Sequence, residues 1–453
     1  MPTEYRTPGV YVTETGAFPS SAIGVETAVP CFIGHTERSP GAEPRQIGSL
    51  AEFVQFFGGR HTPHYYLAAP GTALPSNDLA VGEFVLDLDA VILVRAAGPR
   101  FLLYDSIRLF FANGGERAWI VSCGSYDAPV SLAPLLAGIA TANLPGPTML
   151  AMPDAALLAA TDRNAAAVAL TKAAGDAGDR MALLDVGGLD TPAQGWEPDV
   201  ADFRAAIATL PEQARSFAAA YFPPLRTSIV APGEIDADWG DPRFVDPAAA
   251  SVRAAIAAAE GVLPPSGAIA GIWCATDANR GVWKAPANIG ITAATGLLAT
   301  MSAEQQADLN APADGLSVNA MRLFPGQGIL VWGARTLDGN SGDWRYISVR
   351  RTAIYVEQSV KATLQSLVFE PNTAITWTTA RAMIENFLVR LWREGALAGA
   401  TPAEAFAVEV GLGATMTADD IMDGVMRIQV QIAITRPAEF IVLTFQQEMQ
   451  TST

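Results

Sequence analysis

Polar and apolar positions alternate along the chain with two different periods, and the switches between them set out the elements. Val29–Gly34 reads as a strand, Ser49–Phe57 as an amphipathic helix and Ala90–Arg95 as a second strand. Phe101–Ala112 reads as a helix ended by Asn113-Gly114-Gly115, where glycine supplies a left-handed cap. Ala118–Ser122 follows as a buried strand. The middle repeats the alternation, with strands at Thr148–Met152 and Met181–Asp185 and helices at Asn164–Ala174 and Phe203–Leu210. Such alternation predicts an α/β layered architecture. Pro232–Asp246, rich in Asp, Pro and Gly, predicts a surface loop before an alanine-rich helix over Ala248–Ala259.

The last third has a different character. Strands at Gly328–Trp332 and Trp344–Ser348 precede amphipathic helices at Ile354–Leu367 and Thr379–Glu394, the second closed by Gly395. In Arg427–Ile434, Ile428, Val430, Ile432 and Ile434 alternate with Arg427, Gln429 and Gln431, the mark of a half-buried strand. After Pro437, the run Phe440, Ile441, Val442, Leu443, Thr444 and Phe445 is β-prone on both faces. At the other end Val10, Tyr11, Val12 and Thr13 form a short β-prone stretch between Pro8 and Gly16. A lone strand is not stable in water, and chain ends are poorly ordered unless tied down. Two arrangements satisfy these arms: they fold back on the chain's own sheet, or they add to a neighbour's sheet edge and build a polymer.

A length of 453 residues predicts two to four domains, or one with large insertions. Half of the residues are hydrophobic, ample for a core, and 40 glycines with 31 prolines predict many turns. The net charge of −17 argues against binding to a phosphate backbone or an anionic membrane surface. It fits either simple solubility or a surface matched to a basic partner. Cys31, Cys123 and Cys274 stand far apart without a CxxC pair and read as small buried apolar residues in a chain folded in reducing cytosol. The opening MPTEYRTPGV has no basic region followed by an apolar core, so no signal peptide is expected. No apolar run is long enough to span a membrane.

Candidate chemistry is sparse. The histidines are His35, His61 and His64, and His61-Thr62-Pro63-His64 offers two ligands with no further cluster, so it reads as a surface loop. Ser266 sits in a Pro-Pro-Ser-Gly turn, and no GxSxG elbow occurs. Gly326-Gln327-Gly328 precedes a strand where a dinucleotide fingerprint would follow one, and no phosphate loop is present. Asp87-Leu88-Asp89 reads as an exposed strand edge lacking the other ligands of a calcium loop, and Arg350-Arg351 as a solvated face. No catalytic, cofactor-binding or metal residue is assigned, and no cofactor is expected. The rivals to a structural polymer are a soluble α/β enzyme without a familiar motif and a binding or adhesion module with a polar cleft.

Several segments, in order, resemble the contractile tail-sheath family of phages, pyocins and extracellular injection systems. They are Thr7-Pro8-Gly9-Val10-Tyr11-Val12, Phe110-Phe111-Ala112-Asn113-Gly114-Gly115 and Pro264-Pro265-Ser266-Gly267-Ala268-Ile269-Ala270-Gly271. The most distinctive is Asp277-Ala278-Asn279-Arg280-Gly281-Val282-Trp283-Lys284-Ala285-Pro286-Ala287-Asn288. Val318-Asn319, Val331-Trp332-Gly333-Ala334-Arg335-Thr336, Trp344-Arg345-Tyr346-Ile347 and Arg350-Arg351 complete the series. Within these blocks Trp283 and Trp332 read as core anchors, and Arg280 and Arg335 as bidentate bridges.

The resemblance implies a multi-layer α/β (α+β) sheath fold whose C-terminal α/β domain is completed by strands exchanged between subunits. It implies an arm at 1–28, a sheath domain from 29–123 and 251–340, and an outer or middle α/β domain at 124–250. A tube-facing domain at 341–436 and a second arm at 437–453 follow. The implied partners are the chain itself, as a helical homopolymer of six-membered rings, an inner tube protein, a baseplate and a terminal cap. Nucleic acid and direct membrane insertion are not among them. Val10–Thr13 and Phe440–Phe445 would be the donated strands, with Ile428, Val430 and Ile432 in the acceptor sheet. The particle would assemble in the cytoplasm, without a signal peptide, as part of a virion-like or released injection particle. A single chain holding both halves is closer to phage tails and extracellular systems than to split type VI sheaths.

Overall fold

The computed structural model describes residues 24–39, 41, 43–86, 88–235, 249–440 and 442. The expected strand Val10–Thr13, and Ile441, Leu443, Thr444 and Phe445 of the other arm, lie outside them. The chain opens with β1 (Pro30–Gly34), β2 (Arg45–Ile47) and α1 (Leu50–Phe57), whose N-terminus is capped by the Ser49 hydroxyl accepting from the Glu52 amide. A small meander follows, β3 (Tyr65–Ala68), β4 (Leu79–Leu86) and β5 (Asp89–Arg95). Next come α2 (Leu103–Ala112) and β6 (Ala118–Ser122). The middle runs α3 (Leu132–Thr141), β7 (Met149–Ala151), α4 (Ala160–Ala177), β8 (Met181–Asp185), α5 (Glu197–Ile207), α6 (Glu212–Arg215) and β9 (Ala218–Phe222).

Beyond these, β10 (Leu225–Thr227) leads to α7 (Ala249–Glu260), β11 (Val262–Leu263), α8 (Ser266–Arg280), β12 (Ile289–Gly290) and β13 (Ala294–Leu297). Then come α9 (Ala303–Asn310) and the hairpin β14 (Val318–Phe324) with β15 (Gly328–Trp332). The last stretch is α10 (Ile347–Leu364), α11 (Ala374–Arg393), α12 (Pro402–Ala405), β16 (Phe406–Val410), α13 (Ala418–Met422) and β17 (Ile428–Ile432). The described residues form two units, one from 26–356 with 434–442, the other from 24–25 with 357–433.

The larger unit is organised by one nine-stranded sheet in the order β12-β15-β14-β9-β8-β7-β1-β6-β2. Its central strands β14, β9, β8, β7, β1 and β6 are parallel, and β15, β12 and β2 pair antiparallel at the edges. Helical crossovers make the parallel strands buried on both faces, which explains why β1 and β9 read as unbroken apolar runs. The order reverses at β1, and there Asp154, fully buried, caps α2. Its Oδ1 accepts from the Leu102 and Leu103 amides at 2.7 and 3.1 Å, and its Oδ2 from the His35 amide at 2.6 Å. Two glycines set the spacing of α8 against α2. A Cβ on Gly267 would lie 2.5 Å from the Ser106 carbonyl, and one on Gly271 2.4 Å from that of Phe110.

Several expectations change here. Trp344–Ser348 is not a strand: Tyr346 makes a single bridge to Arg335, and α10 begins at Ile347 because Ile347, Val349 and Ala353 are buried along it. Arg350 and Arg351 are buried rather than solvated, with the Arg350 guanidinium 3.4 Å over the Trp344 ring. Leu86 pairs with Asp89, so Leu88 lies in a tight hairpin turn at φ 72°, not along a strand edge. Ser266 starts a helix, Trp332 is 38% exposed and Arg280 is exposed, while Trp273 is fully enclosed by the core. His61 is half-buried between the Phe101 and Tyr126 rings. Segment 124–250, expected as an outer or middle α/β domain, supplies β7, β8 and β9 to the middle of the common sheet, where parallel pairing to β1 and β14 fixes it.

Candidate assembly interface

In the smaller unit, α11 buries Ala380, Met383, Ile384, Phe387, Leu388 and Leu391, a three-four spacing that makes one apolar face. That face packs on β16, which pairs antiparallel with β17. The register sets Phe406 opposite Ile432, Val408 opposite Val430 and Val410 opposite Ile428, so these six share one side of the sheet. Ala407, Glu409, Gln429 and Gln431 stand exposed on the other. A two-stranded sheet is marginal by itself; here a helix covers one face and leaves the other open.

The pairing also fixes where the edge groups point. The Ala433 amide donates to the Ala405 carbonyl at 2.8 Å, so the hydrogen-bonded pairs are Ala407 with Gln431 and Glu409 with Gln429. The N–H and C=O groups of Ile428, Val430 and Ile432 therefore face away from β16, along an outer edge on which no described strand pairs. A groove of about 450 Å³ lies at the start of β17, lined by Leu364, Leu367, Val368, Phe369, Met426 and Ile428 among others. Phe369 is fully exposed and sits at φ 74°, a left-handed conformation that costs a residue with a side chain about 1–2 kcal/mol.

In the larger unit, two arginine–carboxylate clamps hold the chain next to the expected arms. Arg351 donates to both oxygens of Asp277 at 2.8 and 2.6 Å and to the Thr27 carbonyl at 2.9 Å, and the Thr27 hydroxyl donates to Asp277 at 2.6 Å. The Arg351 and Asp277 side chains are only 4% and 5% exposed. Arg335 donates from Nε and Nη2 to Glu439, at 2.9 and 2.7 Å to its two oxygens. Asn310 and the Tyr346 hydroxyl add bonds of 2.7 and 3.1 Å to the same carboxylate. Burial raises the proton affinity of Glu439, but the bonds from Arg335 and Asn310 outweigh it and hold the group below its ordinary range. Removing one member of the buried Arg351–Asp277 pair costs on the order of 3–5 kcal/mol.

The family model for the phage tail sheath C-terminal domain matches residues 340–448. A chain of the anti-feeding prophage (AFP) helical sheath, solved by cryo-EM in the contracted state, is 30% identical over 98% of this chain and 100% of that one, with a TM-score of 0.65. This chain belongs to the contractile tail sheath family. A chain in the PVC sheath complex, from an extracellular contractile injection system in the contracted state, is 27% identical over 99% of the sheath subunit described here and 100% of its own length, with a TM-score of 0.64. A chain of the AFP baseplate structure is 30% identical over 98% and 100%, with a TM-score of 0.65. Among curated protein sequences, none matches.

In this sheath subunit the expected acceptor residues Ile428, Val430 and Ile432 come together on β17, half-buried against one face. Phe440 and Val442 are 72% and 87% exposed and form no strand with described residues. Phe440 follows directly on Glu439, a residue that the apolar and polar pattern does not single out. Thr27 and Asp277 were likewise missed as a site, although Asp277 heads the most distinctive family-like block and Arg335 stands in another. Among the described residues, no group of three or more His, Cys, Asp and Glu is placed to hold a metal, and no helix is long and apolar enough to cross a membrane.

Proposed function

We propose that this sheath subunit polymerises head-to-tail as stacked six-membered rings around an inner tube, between a baseplate and a terminal cap, and contracts to drive the tube through a target envelope. Heterologous contacts of this kind generate an open helical polymer. Val10–Thr13 of one neighbour and Phe440–Phe445 of another add to the β16–β17 sheet, which forms the centre of a composite sheet. The outward-facing amides of Ile428, Val430 and Ile432, on a sheet that described strands leave unextended, are the observation that carries this reading. The extended sheath is a kinetically trapped lattice, and contraction moves it to one with more buried contact, with no nucleotide consumed. The 341–436 region faces the tube, and the particle acts outside the cell that made it, as its PVC relative is named to do.

Negative-stain electron microscopy of the subunit co-expressed with an inner tube protein tests this. The full chain is expected to give striated tubes of fixed diameter, and chains lacking residues 1–20 or 440–453 only small folded particles. Small particles from the full chain in every preparation would sink the proposal.

A further inference from the structure

Each expected arm begins at an arginine–carboxylate clamp. Phe440 follows Glu439 with no intervening residue, and Glu439 is held by Arg335, Asn310 and Tyr346. On the N-terminal side Thr27 is held by Asp277 and Arg351, and its carbonyl also accepts from the Thr148 hydroxyl at 2.8 Å. Arg351 lies over the ring of the fully buried Trp273 at 4.5 Å, which ties that clamp to the main core. Both clamps belong to the unit of 26–356 with 434–442, whereas β16 and β17 belong to the unit of 357–433. A subunit thus roots its arms in one unit and offers its acceptor edge on the other.

An exposed strand added to a neighbour's sheet can pass on movement only if its near end is fixed. A flexible root would let a displacement of several ångströms vanish into slack, because each added residue reaches up to about 3.5 Å. The roots here are the opposite of flexible: both are two-pronged and charge-assisted, and the Arg351–Asp277 pair is also buried, while Glu439 is half-buried. The C-terminal arm has no slack at all. The fourteen residues from Thr13 to Thr27 give the N-terminal arm a reach of at most about 50 Å.

Resting on the strand-exchange reading above, we propose that Arg351–Asp277 with Thr27, and Arg335–Glu439, are positioning clamps that fasten the donated arms. Through them the displacement of one subunit during contraction reaches the large sheet of the next. The partner at each arm is a second copy of this chain, and the clamps act through the arm without touching that copy's acceptor strands.

The test uses the full chain co-expressed with the inner tube protein. A spacer of about six Gly and Ser residues between Glu439 and Phe440 leaves the clamp intact and adds roughly 20 Å of slack. The variant monomer should unfold at the wild-type midpoint, yet tubes should be missing or should break into segments on contraction, with continuous contracted sheaths falling about tenfold or more. Glu439→Gln should lower the yield of continuous sheaths in the same direction, with monomer unfolding measured alongside. Spacer sheaths that contract as continuously as wild type, while deletion of 440–453 abolishes tubes, would overturn the clamps and leave strand exchange standing. Tubes that survive the deletion would overturn both.

Discussion

Asp185 ends β8 with its side chain enclosed, and its Oδ1 accepts from the Ser266 amide at the start of α8 at 2.8 Å. Burial raises its pKa to about 7 against the lowering effect of Ser266. An acid whose folded pKa lies above its unfolded one keeps a proton that the unfolded chain has released. Stability therefore falls as pH rises from about 4 to 7 and levels off above, a loss on the order of a few kcal/mol. Asp185→Asn keeps an acceptor for the Ser266 amide and cannot ionise. Its thermal midpoint should exceed wild type at pH 8, with the gap closing towards pH 4; parallel profiles would rule this account out. At this scale composition misleads most: Arg350-Arg351 reads as solvated because charge sets the expectation, yet Asp277, Trp344 and Trp273 receive both side chains.

The elements were more legible. β1, β6, β8, β15 and β17 all fall on runs whose apolar pattern marks them, and α1 has its Ser49 cap in view. Trp344–Ser348 failed because an apolar-polar alternation over five residues also fits the entry of a helix, and long-range burial of Ile347 and Val349 settled it. On β17, alternation gave the buried face but not the edge, since hydrogen-bond direction depends on register with β16. That register makes a sharp prediction. Val430 points its amide outward, so Val430→Pro should leave the β16 pairing and the monomer's circular dichroism intact while blocking tube formation. Gln431→Pro, inside the ladder, should destabilise the monomer itself. Tubes of normal yield from Val430→Pro would place the donated strand elsewhere.

For the whole molecule, charge and connectivity matter together. Each subunit carries a net −17, so packing copies into a lattice brings like charges together. Raising salt from about 50 to 150 mM shortens the Debye length and should lower the critical concentration for tube growth in light scattering. A rise would mean that opposite charges across the subunit contacts dominate instead. The sequence by itself determined the α/β alternation, the two β-prone arms and the ordered motifs that carry the sheath resemblance, because periodicity and composition are local. The tertiary structure decided that 124–250 joins the central sheet, that the outer edge of β17 pairs with no described strand and that Thr27, Asp277, Arg335, Arg351 and Glu439 form two clamps. Those partners lie between 74 and 324 residues apart along the chain, and no local pattern encodes which distant carboxylate a buried arginine will meet.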